Sequence, residues 1–143
     1  MRIKHTAIGK LNPGLRTDRL DAFTRAYIEC ALWFLSTDDN DTPMDDNYDV
    51  RDMASPESLR IMVEDCKAFQ TDNAELLEQA FTVYNTDDKA AYAGHDFWLT
   101  RNHHGAGFWD RGLGEVGRKL TDKAHEYGSC DLVVGDDGKV YAQ

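Results

Sequence analysis

Apolar residues recur at spacings of three and four along three stretches of this chain and alternate with polar ones along two others. The first helical stretch covers about residues 18–36. Thr17 or Asp18 can cap it, and Leu20, Phe23, Tyr27, Cys30, Ala31 and Phe34 share one face, which Ile28 and Trp33 broaden toward a second contact. A second helix opens at Ser55-Pro56-Glu57, where serine caps, proline takes the first helical position and the carboxylate meets the positive end of the helix dipole. Its stripe of Leu59, Met62, Val63, Cys66 and Phe69 continues in phase through Leu76, Leu77, Ala80, Phe81 and Tyr84, which predicts one long helix kinked near Asp72. Leu113, Val116, Leu120, Ala124 and Tyr127 mark a third helix, and Gly128 suits the position after its end.

The alternating stretches read as hairpins. Residues 95–101 are rich in aromatic and β-favouring side chains, Asn102-His103-His104-Gly105 supplies a turn, and residues 107–111 form the return strand. Neither face of that first strand is wholly apolar: both faces are covered, or polar groups are placed there for a purpose. Residues 131–134 and 139–142 flank Gly135-Asp136-Asp137-Gly138 and predict a second hairpin. The expected fold is α+β. Two long helices form a helical hairpin, packed with a small, mostly antiparallel sheet of two β-hairpins and a third helix.

A chain of 143 residues is one domain's worth, so residues 1–143 are read as a single domain with a basic arm at 1–16 and an acidic loop at 37–55. Charge changes the functional picture. With 26 acidic against 16 basic residues the net charge is -10, which repels phosphate backbones, argues against direct nucleic-acid binding and suits a basic partner. Asp38, Asp39, Asp41, Asp45, Asp46, Asp49 and Asp52 crowd the loop with only Arg51 opposing them, making it a candidate partner-binding segment. A calcium loop does not fit, because the required glycine and distal glutamate are missing. Cys30, Cys66 and Cys130 have neither zinc nor disulfide spacing, and Cys30 and Cys66, both on apolar helical stripes, read as buried thiols of a cytoplasmic protein. No apolar run is long enough to span a bilayer.

Candidate chemistry concentrates in residues 94–117. Gly112-Leu113-Gly114-Glu115-Val116-Gly117 matches a dinucleotide fingerprint in letters but lacks the parallel βαβ context, and Glu115 would face any pyrophosphate. His95 with Asp110 or His104 offers an acid–base pair, and Asp96 and Asp110 are expected to face each other across the ladder. Arg101 and Arg111 can hold a carboxylate or phosphate beside aromatic surfaces. The candidate ligand-binding set is therefore His95, Asp96, Trp98, Arg101, Asn102, His104, Trp109, Asp110 and Arg111. Arginine–aspartate pairs serving only the fold would leave the same residues. Neither a metal site nor a cofactor is expected.

The run Gly94-His95-Asp96-Phe97-Trp98-Leu99-Thr100-Arg101-Asn102, with His104-Gly105-Ala106-Gly107-Phe108-Trp109-Asp110-Arg111-Gly112 after it, resembles a motif of small proteins encoded by tailed bacteriophages and prophages. The resemblance extends to the helix at 27–34, the surroundings of Cys66, Phe69 and Asn73, and the final hairpin. It implies an accessory phage protein acting in the host cytoplasm, where such proteins bind and inhibit host machinery, including defence systems. Two functions follow as expectations: a binding protein that engages a host or phage macromolecule, or a small-molecule or nucleotide site, with or without modest catalysis, built from residues 94–112.

Overall fold

In the computed structural model, residues 20–34, 56–137 and 140–142 are described. Five α-helices run α1 Ala22–Phe34, α2 Pro56–Asp72, α3 Ala74–Phe81, α4 Lys89–Arg101 and α5 Glu115–His125, with a 3-10 turn at Phe108–Asp110 between the last two. Strands β1 Leu132–Val134 and β2 Val140–Ala142 pair antiparallel in the register Leu132↔Ala142, Val133↔Tyr141, Val134↔Val140. Among the described residues the architecture is thus mostly helical with one small two-stranded sheet. The basic arm and the acidic loop, with Asp38, Asp39, Asp41, Asp45, Asp46 and Asp49, lie outside the described residues. Among the described residues no helix is long and apolar enough to cross a membrane.

The first of the two expected hairpins is not a hairpin. Residues 89–101 form helix α4, and the motif continues through a turn into the 3-10 segment. Asp88 caps α4 by accepting from the Ala91 N–H at 3.0 Å. The helix is the centre of the fold: eight of its residues are buried, including every one from Asp96 to Arg101. A helix enclosed nearly all round has no polar face to mark a 3.6-residue period, and burial overrides the β preference of Phe97, Trp98 and Thr100. Gly94 permits this position. A Cβ there would collide with the main-chain carbonyl of Phe23, so α1 and α4 touch backbone to backbone, and α1 packs chiefly on α4 rather than pairing with α2 as a helical hairpin.

The long second helix is interrupted at Asn73, whose backbone (φ -120°, ψ 26°) leaves the helical region. Its side-chain Nδ2 donates to the Phe69 carbonyl at 3.0 Å, and Leu77 N–H donates to the Asn73 carbonyl at 2.9 Å. The phase survives the break, and Leu59, Met62, Cys66, Phe69, Asn73, Leu77, Ala80 and Tyr84 are all buried. Capping of α1 falls to Asp21, which accepts from Thr24 N–H at 2.8 Å; Thr17 and Asp18 lie outside the described residues. Trp33, expected on a second contact face, is 56% exposed, while Ile28 is fully buried. Gly128 follows α5 with φ +71°, as expected of its place.

One buried cluster draws side chains from all five helices and both strands. Phe69 and Phe97 stack at its centre with ring centroids 4.1 Å apart, and Phe108 from the 3-10 turn stacks on Phe69 at 5.7 Å. Cys30, Cys66 and Cys130 are buried and free. Burial pushes the Cys30 thiol up to about 12, and the nearby Asp96 carboxylate adds to the shift.

Candidate functional site

Helix α4 carries polar side chains into the core, and their partners decide what each can do. Arg101 is 3% exposed. Its Nε donates to the Gly128 carbonyl at 2.7 Å, Nη1 to Tyr27 Oη and Asp65 Oδ2 at 2.9 Å each, and Nη2 to the Tyr127 carbonyl at 2.9 Å. The guanidinium lies 5.6 Å from the ring centres of both Phe97 and Tyr127. Four of its five N–H groups therefore bind α1, α2 and the turn just after α5, and Arg101 is a structural clasp rather than a ligand-binding group. Asn102 likewise serves the fold: Nδ2 donates to the Trp98 carbonyl and Oδ1 accepts from Cys130 N–H at 2.8 Å.

Five residues before Arg101 along the same helix, Asp96 is wholly buried. Arg111, supplied by the turn after the 3-10 segment, donates to it through Nη2 at 2.8 Å and through Nε at 3.1 and 3.2 Å, and Tyr84 Oη donates at 2.9 Å. Arg111 also lies over the Tyr92 ring at 4.7 Å, and Tyr92 meets Tyr84 edge-on at 4.8 Å. Burial raises the Asp96 pKa, and the bonds and charge of Arg111 with the Tyr84 hydroxyl only partly offset it. Burial works against the charged form of Arg111, yet the bonds and charge of Asp96 outweigh it and raise that pKa. Asp96 pairs with Arg111, not with Asp110 across a ladder.

Above this pair opens a depression of about 300 Å³ lined by Val83, Tyr84, Asn85, Tyr92, Asp110 and Arg111. A second, of about 200 Å³, is lined by Thr86, Asp88, Ala91, Tyr92 and His95. His95 and Asp110 thus line different depressions that share Tyr92, and the expected acid–base pair between them is not assembled. Surrounding protein lowers the His95 pKa more than the Asp96 and Glu29 carboxylates raise it. His104 stacks on the buried Trp98 with centroids 4.8 Å apart, while His103 stacks on His125 at 4.3 Å. Trp109 is 54% exposed and sits beside Asp110 in the chain. Among the described residues no group of three or more His, Cys, Asp and Glu is placed to hold a metal ion.

Of the nine candidates, the structure brings Asp110 and Arg111 to the larger depression, with Asp96 beneath. Sequence reasoning missed its tyrosine walls. Tyr84 reads as part of the second helix's stripe and Tyr92 carries no reading; a helical phase, which puts Tyr92 one turn before Asp96, is the signal that finds Tyr92. Compared with protein-family models, curated proteins and solved structures, the chain matches none.

Proposed function

We propose that this chain is a non-enzymatic binding protein that presents an acidic surface to a basic protein partner, in keeping with the resemblance to accessory proteins of tailed phages and with action on a host protein in the bacterial cytoplasm. The observation that carries the reading is a second acidic stretch, on folded structure. Asp72, Glu75, Glu78, Asp87 and Asp88 are all exposed, no lysine or arginine falls between Lys67 and Lys89, and none of the five joins an ion pair among the described residues. With the aspartates of 38–52 they extend one sign of charge over two parts of the chain, the arrangement that steers a basic partner and selects against acidic ones. The engagement of Arg101, Asn102 and Asp96 within the fold further supports binding over catalysis.

The test is capture of a partner by the purified chain at about 0.1 M and about 1 M salt, where the screening length falls from roughly 10 Å to roughly 3 Å. A stoichiometric partner should be lost at high salt. It should also be lost from a variant with Asp72→Asn, Glu75→Gln and Glu78→Gln together with asparagine at Asp38, Asp39, Asp41, Asp45, Asp46 and Asp49. A partner retained under both changes would overturn the electrostatic reading.

A further inference from the structure

The two arginines of the motif differ in what they leave available. Arg101 has four of five N–H groups bound inside the protein. Arg111 engages only Nε and one hydrogen of Nη2, both on Asp96, so the end of its guanidinium, Nη1 with the remaining Nη2 hydrogen, has no partner among the described residues. That end is a two-pronged donor of the geometry that grips a carboxylate. It is also held in advance, since Asp96 fixes one edge of the plane and the Tyr92 ring supports its face. The side chain is 23% exposed and lines the depression of about 300 Å³.

We propose that this depression binds a small zwitterion of the α-amino-acid class, its carboxylate on the open end of Arg111 and its ammonium on Asp110. Charge selects this class. The site holds one cation, Arg111, and two carboxylates, Asp96 beneath and Asp110 at the lining, on a chain of net charge -10. A dianionic phosphate would meet both carboxylates with one cation to offset them, whereas a monocarboxylate carrying its own ammonium complements Arg111 and Asp110 singly. The walls of Tyr84, Tyr92 and Val83 offer aromatic and aliphatic surface to the ligand's side chain, and the volume stands at the lower end of the roughly 300–1,000 Å³ typical of ligand sites, which calls for a small ligand. This inference goes beyond the partner-binding reading and does not depend on it.

The test is NMR titration of the full chain with phenylalanine, N-acetylphenylalanine, phenylalaninamide and inorganic phosphate. Phenylalanine should shift the amides of residues 83–85, 92, 110 and 111. Phenylalaninamide, without the carboxylate, should bind weaker by about tenfold or more. Asp110→Asn, an exposed position, should keep the fold and abolish the preference for phenylalanine over N-acetylphenylalanine, and Arg111→Lys should weaken both ligands. N-acetylphenylalanine binding more tightly than phenylalanine would overturn the zwitterion in favour of a peptide carboxyl end. Equal binding of the amide, tighter binding of phosphate, or no shift at these residues in the folded protein would overturn the site.

Discussion

The guanidinium of Arg111 stands 2.8 Å from the carboxylate of Asp96, and the two are unequally exposed: Asp96 has no contact with solvent, whereas Arg111 reaches it. Removing either partner therefore has different consequences. Arg111→Met leaves a buried carboxylate with only the Tyr84 hydroxyl to compensate it, and should cost about 3 kcal/mol, near the low end for breaking a buried pair because water can reach the vacated site. Asp96→Asn should cost less, since no buried charge is stranded. The double variant Asp96→Asn with Arg111→Met should recover part of the Arg111→Met loss. Urea denaturation of the four proteins measures the coupling, and strictly additive losses would contradict it.

Gly94→Ala separates the helix from a strand. On an unobstructed helix the change would stabilise by about 1 kcal/mol. Here the new methyl meets the Phe23 carbonyl, a backbone atom that can move only if α1 moves, so the variant should lose roughly 1–3 kcal/mol. Thermal or urea unfolding gives the sign directly.

Arg101→Lys should also destabilise, by about 3 kcal/mol, although charge is conserved. An ammonium has three hydrogens at one point and cannot reach two carbonyls, a phenol and a carboxylate spread around a planar fork. Equal stability of the lysine variant would show that the charge and not the fork matters.

His95, an exposed side chain beside the buried Asp96, is expected to supply a small pH dependence. Its folded pKa lies below the ordinary 6.5, so as pH falls through that value the unfolded chain takes up a proton that the folded chain does not yet accept. Stability should decline below about pH 6.5 until the folded pKa is passed, and rise again with pH across the same window. His95→Asn should flatten this component, and NMR titration of the imidazole should give a midpoint below 6.5.

Legibility followed the degree of one-sidedness. Helix α5 and the run from Leu59 to Tyr84 bury one face each, so their periods could be read directly, and the final hairpin was marked by turn residues between two short apolar runs. The interruption at Asn73 reads from the sequence only as a kink near Asp72. Helix α4 escaped because Phe97, Trp98 and Leu99 are consecutive and all buried, which no single-faced pattern describes. The start signal was nonetheless present in Asp88 and the alanines at 90, 91 and 93. For the site, residue type sufficed to select Asp96, Asp110 and Arg111, but only the correct helical phase separates the bound arginine from the half-engaged one.

The partners of Arg101 lie 26, 27, 36 and 74 residues away along the chain. No local segment can satisfy it, and its full set of bonds requires α1, α2 and the residues just after α5 to have reached α4. Arg101 is thus expected to act as a late latch in folding. Its loss should leave the rate of reaching the transition state nearly unchanged and appear almost wholly as faster unfolding, so the clasp sets the lifetime of the native chain more than the speed of its assembly.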